Sequence, residues 1–258
     1  DLEFVGRVEA VERVDIRARI TGFIQSVAFK DGEIVKEGAV LYRIERESFE
    51  AAVQQARGAL LQAQAQFANA TAQRARTEEL VKTSAAAIAT LDERIAAEKT
   101  AQGNVVTADA ALKTATVNLG YTEIVSPITG EAGRSKLTRG NVVNPDSGVL
   151  VTIVSRDPMY VTFPVSQREF LTVERQAARE NAGDAMTVRI RFSDGTVYGQ
   201  TGKIDFIDTT VNRSTDSVLV RATLPNPKGS LIDGQLVRVV VESAKPEQKV
   251  VIPQSALI

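Results

Sequence analysis

The chain has 258 residues, 43% of them hydrophobic and 24% charged, and its 31 basic and 32 acidic residues leave a formal charge of −1. Cysteine and histidine are both absent, which excludes disulfides, thiol nucleophiles, Ser-His triads, zinc sites and any imidazole acid–base step. Balanced charge, 5% aromatics and no tryptophan leave neither a basic field nor a stacking platform for nucleic acid.

Leu2–Val8 alternates like a strand, and the chain opens inside that pattern and stops just after Ile252-Pro253, so it is read as a trimmed piece. No apolar run approaches the ~20 residues of a membrane-spanning helix. One glycine-punctuated pattern is then written twice. The first copy is Ile16-Arg-Ala-Arg-Ile20-Thr21-Gly22, with Asp31-Gly32-Glu33-Ile34-Val35 and Gly38-Ala-Val40-Leu41 after it. The second is Ile124-Val-Ser-Pro-Ile128-Thr129-Gly130, with Arg139-Gly140-Asn141-Val142-Val143 and Gly148-Val-Leu150-Val151 after it. The register is shared, since 130 − 22 and 140 − 32 both give 108. Gly22, Gly32, Gly38, Gly130, Gly140 and Gly148 are expected to form turns with positive φ. The two copies are expected to close on each other as one β-sandwich, with Val40/Leu41 sharing a core with Leu150/Val151.

Between the copies, residues 46 to about 119 lack proline and are rich in Ala, Gln, Glu and Arg. Apolar or small residues at Phe49, Val53, Ala56, Leu60, Ala63, Phe67 and Ala70 step by four and three, the spacing of a coiled-coil seam. A second seam runs through Ala101, Val105, Ala108, Leu112, Ala115 and Leu119. The spacing predicts an antiparallel helical hairpin with its tip near 83–90, and Thr90 with Glu93 is a capping box for the second helix. Arg74, Arg76 and Arg94 near that tip are either solvated charges or contacts. Ile88 is either a staple for the tip or an exposed apolar contact.

From Asp157 onward, strands are predicted at Met159–Val165, Met186–Phe192, Tyr198–Ile207, Val218–Leu224 and Gln235–Val241. Ser193-Asp194-Gly195-Thr196 reads as a tight turn, and Ser166 with Glu169 as a capping box opening a helix to about Arg179. These elements suggest a small β-barrel to which Leu2–Val8 adds the missing strand. The fold class is α+β, elongated and multi-domain: a sandwich from 14–45 with 120–154, a helical hairpin at 46–119 and a barrel from 1–13 with 155–243.

Carboxylate pairs such as Asp205/Asp208 and Glu78/Glu79 are expected on solvated faces, and Met159 and Met186 as ordinary strand residues. No catalytic residue, metal site or cofactor is expected, so the chain is read as no enzyme. The half-repeats resemble lipoyl and biotinyl carrier domains, which present a modified lysine between the halves. Here that place reads Ile44-Glu45-Arg46-Glu47-Ser48-Phe49, without a lysine, which argues against a carrier subunit of an enzyme.

The order half-sandwich, hairpin, half-sandwich, barrel resembles the periplasmic adaptor (membrane fusion) proteins of tripartite efflux pumps, of the AcrA/MexA type that serves RND transporters. The resemblance is carried by Val14–Ile24, Phe29-Lys30-Asp31-Gly32, Leu119-Gly-Tyr121-Thr122, Ser126-Pro127-Ile128-Thr129-Gly130 and Asp157-Pro158-Met159-Tyr160-Val161. It extends through Ser193-Asp194-Gly195, Asp208-Thr209-Thr210-Val211, Arg221-Ala222 and Pro225-Asn226-Pro227. It implies an inner-membrane RND transporter and a TolC-like outer-membrane channel as partners, with self-association into a trimer or hexamer in the assembled pump. An adaptor of an ABC-type exporter is the nearest rival. It further implies a periplasmic location, anchored to the inner membrane by a segment absent from this chain, and residues 244–258 as the start of a truncated membrane-proximal domain. In that family the hairpin tip touches the channel through Arg, then Leu four places on, then Ser seven beyond. The first two fall on Arg76 and Leu80 and the third on Ala87; Ser84 or Thr90 supplies the hydroxyl, or the tip engages differently, with Ile88 beside it.

Overall fold

The computed structural model describes residues 2–170 and 186–243. The first repeat holds strands β2 (Arg13–Ile16), β3 (Gly22–Val27), β4 (Ile34–Val35) and β5 (Val40–Ile44). The second holds β6 (Glu123–Val125), β7 (Gly130–Ala132), β8 (Val142–Val143) and β9 (Val151–Val154). They form two four-stranded sheets, ordered β2-β9-β7-β4 and β6-β5-β3-β8, so each sheet takes strands from both repeats. Gly22 and Phe23 pair with Val143 and Val142, while Gly130 and Glu131 pair with Val35 and Ile34. Adding 108 to Gly22 and Phe23 gives Gly130 and Glu131, and subtracting 108 from Val143 and Val142 gives Val35 and Ile34, so the duplicated sequence has become a two-fold exchange of strands. The peptide N–H of Gly32 donates to Ala132 O and that of Gly140 to Ile24 O, obeying the same rule.

The interior between the sheets is continuous. Ile16, Ile24, Leu41, Tyr42 and Ile44 from one repeat pack with Val143, Leu150, Val151 and Ile153 from the other. Leu41 therefore shares a core with Leu150 and Val151, whereas Val40 is only half-buried, because a register shift between Val40 and Tyr42 turns it out of the stack. Two of the six glycines differ from the expectation of turns. Gly32, Gly38, Gly140 and Gly148 have φ between 78° and 88°, but Gly22 and Gly130 begin strands β3 and β7 without positive φ. Their constraint is close approach: a Cβ on Gly130 would collide with the Val154 carbonyl, and one on Gly22 with Ile44.

Helices α1 (Glu47–Lys82) and α2 (Ile88–Gly120) form the hairpin. At ~1.5 Å per residue each exceeds ~45 Å. Val53, Ala63 and Thr77 of α1 and Ala101 of α2 are buried, while Ala56, Leu60, Phe67, Val105, Ala108 and Leu112 are half-buried along the same two seams. Thr90 does not cap α2. The helix starts two residues earlier, with Ala87 extended at its N-cap and no side-chain cap, and the Thr90 N–H already donates to Ala87 O.

The barrel closes in the order β1-β10-β13-β12-β11-β14, from β1 (Leu2–Ala10), β10 (Met159–Ser166), β11 (Met186–Arg191), β12 (Gly202–Asn212), β13 (Ser217–Leu224) and β14 (Leu236–Ser243). β1 bridges β10 and β14, so the N-terminal strand completes the barrel. Val8, Val161, Phe163, Val188, Ile190, Val220, Leu224 and Val239 fill it. β12 starts later than the pattern suggested. Tyr198 turns inward, its hydroxyl donating to Pro225 O, and two register shifts carry the strand on to Asn212. Ser166 and Glu169 form their reciprocal capping contacts, and residues 167–170 are helical; the rest of that expected helix lies outside the described residues, as do residues 244–258.

Candidate functional site: the hairpin tip

The tip is made by the way α1 stops. Its last turn is followed by Thr83 and then Ser84, whose φ of 59° lies in the left-handed region. The Ala85 N–H donates to Leu80 O at 2.8 Å and the Ser84 N–H to Val81 O at 3.0 Å. These are the two bonds of a Schellman stop, built on serine where glycine is usual. Thr83 Oγ1 adds a donation to Leu80 O at 3.1 Å. The turn from Thr83 to Ala87 is thus held by backbone bonds and one hydroxyl, leaving its apolar side chains uncovered.

Leu80 is 49% and Ile88 70% exposed, a large apolar residue on each side of the turn. Arg76 lies one turn before Leu80 on α1, exposed and without an ion pair or hydrogen bond among the described residues. Ala87 is exposed at the start of α2. The other two arginines are engaged: Arg74 Nε lies 2.8 Å from Glu98 across the hairpin, and Arg94 donates to Gln73 Oε1 at 3.0 Å. Lys82 pairs with Glu79 at 2.8 Å, which raises its pKa through that hydrogen bond and charge. The family resemblance singled out Arg76 and Leu80, and the loss of the seam put the tip near 83–90, but neither anticipated the Ser84 turn, because a left-handed serine has no signature distinct from an ordinary loop residue.

The Asp205/Asp208 pair is occupied within the barrel. Asp205 is bound by Arg221 through two donors at 3.2 and 3.0 Å. Asp208 accepts from the N–H and hydroxyl of Thr210, which lowers its pKa. Among the described residues no group of three or more acidic side chains could hold a metal. Met159 is buried in the barrel core, and the Met186 side chain lies outside the described residues. At the hairpin root, where a carrier domain would present lysine, Arg46 precedes α1 and bonds Glu123 at 3.2 Å.

A β unit split by a helical hairpin and followed by a closed barrel defines a class. Residues 12–154 match the family model described as RND MFP, barrel-sandwich hybrid domain, and residues 158–245 match RND MFPs, beta-barrel domain, so the chain belongs to the RND membrane fusion proteins (MFPs). Among similar proteins, the efflux pump periplasmic linker BepF of Brucella suis is 41% identical, over 100% of this chain and 62% of its own length. The membrane fusion protein MtrC of Neisseria gonorrhoeae is 36% identical, over 99% of this chain and 63% of its own. The multidrug efflux pump subunit AcrA of Escherichia coli is 32% identical, over 99% and 65%. The chain thus spans just under two thirds of these relatives. Its fold is also that of MacA from Actinobacillus actinomycetemcomitans, with a TM-score of 0.70 at 23% identity over 94% of this chain and 78% of MacA.

Proposed function

We propose that this chain is the central part of a periplasmic adaptor in a tripartite efflux pump, joining an inner-membrane RND transporter to a TolC-like outer-membrane channel for export of drugs or other xenobiotics. Family membership carries the reading, supported by relatives named as periplasmic linkers and multidrug efflux subunits. The adaptor is non-enzymatic. Its split β unit is a lipoyl-like scaffold without the carrier lysine, and among the described residues no group of three or more acidic side chains could hold a metal. The protein works in the periplasm as a trimer or hexamer, tethered to the inner membrane by a segment outside this chain.

The hairpin tip is the channel contact. Arg76, Leu80, Ser84, Ala87 and Ile88 lie about one fold-stabilising turn, so their side chains contribute little to the fold and are free to bind. Burying an exposed leucine at an interface is worth about 1.5–3 kcal/mol. In the full-length protein, Arg76→Asp and Leu80→Asp should each lower drug resistance at unchanged protein level, and Leu80→Asp should weaken cross-linking of the tip to the channel. Full resistance in both variants would remove the tip from the interface.

A further inference from the structure

A second site lies at the root of the hairpin. Strands β2 and β6 are repeat equivalents, since 123 − 15 and 124 − 16 both give 108. Each ends its sheet, β2 pairing with β9 and β6 with β5. Between them and the last turn of α2 opens a cleft of about 730 Å³, within the usual range for small-molecule sites. Ile16 is buried and Ile124 half-buried at matching repeat positions in its lining.

The two walls have diverged in chemistry. On the β2 side, the positions after Ile16 and Ala18 are Arg17 and Arg19. The same repeat positions on the β6 side, 108 residues on, are Val125 and Pro127. Val125 and, from α2, Val117 are exposed apolar residues of this lining. The two carboxylates of the lining, Asp15 and Glu123, are already engaged. Glu123 is bonded by Arg46 at 3.2 Å and lies 3.8 Å from Arg43. Asp15 accepts from the Thr152 hydroxyl at 2.6 Å. Arg17 has no hydrogen bond or ion pair among the described residues. The Arg19 guanidinium lies 5.1 Å from the Tyr121 ring centroid, a contact that leaves its N–H donors unused.

We propose that this cleft binds a soluble amphipathic organic anion, with a carboxylate or sulfonate on Arg17 and Arg19 and its apolar body against Val117, Ile124 and Val125. A cation of the same shape would meet the two unpaired arginines, while the two carboxylates of the lining are taken up by Thr152 and by Arg46 and Arg43. A peptide strand added to the sheet edges is disfavoured because β2 and β6 are four and three residues long, too short to hold a register. An occupant would touch both the root of α2 and the first strand of the β unit, and so would steady the hairpin where it leaves the sheets.

The test is calorimetric titration of the purified chain with decanoate below its micelle concentration, beside decyltrimethylammonium. Decanoate is expected to bind at one site, with the cation at least about ten-fold weaker, the effect of losing a charged hydrogen bond. Arg17→Glu with Arg19→Glu should abolish decanoate binding without lowering the melting temperature, and Val125→Asp should weaken it with the arginines intact. Equal binding of anion and cation, or unchanged binding in the arginine variant, would overturn the site. Phosphatidylglycerol vesicles retaining the chain as tightly as decanoate would overturn the assignment to a soluble ligand, and loss of decanoate binding on self-association would make the cleft an interface between copies. None of these readouts depends on efflux, so failure here is distinct from failure of the adaptor reading.

Discussion

The split β unit and the hairpin solve the same problem of order by opposite means. In the β unit, large side chains such as Tyr42, Leu41, Leu150 and Ile153 are fully buried. In the hairpin, two helices of 36 and 33 residues bury four side chains between them, the largest a valine. The first is stabilised by transfer of apolar surface from water, concentrated in a few side chains. The second relies on many weak contacts spread over its length, aided by cross-helix polar pairs. Stability is therefore dense at one end and dilute along the rod, which leaves the tip free of packing duties.

Truncation should expose that contrast most sharply. Leu150→Ala is expected to cost about 2–5 kcal/mol in denaturant unfolding of the β unit, and Leu60→Ala in the hairpin seam less than half as much. Equal costs would mean that the hairpin packs as tightly as the core.

A smaller effect separates the two by pH. Burial raises the Tyr42 pKa above the ordinary tyrosine value, against the lowering effect of its hydrogen bond with Ser135. Above pH ~10 the unfolded chain releases this proton while the folded chain keeps it. Stability present below that pH is then lost as pH rises through the folded value. Tyr42→Phe should flatten the alkaline decline of β-unit stability while leaving the hairpin's helical signal unchanged; an identical slope in the variant would contradict this.

The smallest effect belongs to the rod. A double-mutant cycle on Arg74 and Glu98 should give a coupling of about 0.5–1 kcal/mol, reduced by added salt. A coupling near zero would leave the seam alone holding that stretch.

Periodicity made much of this legible. The 108-residue offset anticipated which strands would share a core, and the alternating steps of four and three anticipated the half-buried positions of both helices. What escaped were features set by contacts distant in sequence. Gly22 and Gly130 look like turn glycines in a string of letters, and only the approach of Ile44 and Val154 reveals them as strand positions. Thr90 and Glu93 have the spacing of a cap, but the backbone turn at Ser84 starts α2 two residues earlier. The cleft beside Arg17 and Arg19 was hidden for the same reason, since its two walls come from different repeats.

The exchange of strands between repeats also bears on how the molecule assembles in time. Neither repeat can complete a sheet alone, so the β unit must wait until residues on both sides of the hairpin meet, as where the Ile44 N–H donates to Thr122 O. Closing an unstructured loop of that length is entropically slow, and each halving of effective loop length recovers roughly 0.6 kcal/mol. A helical hairpin forms from local contacts and returns the chain to its starting point, converting a distant encounter into a near one. The rod is then a scaffold for folding as well as for reach. Gln62→Pro, which breaks α1 at a cost of about 3 kcal/mol, should slow formation of the Tyr42 core in stopped-flow refolding; an unchanged rate would show that the repeats find each other without it.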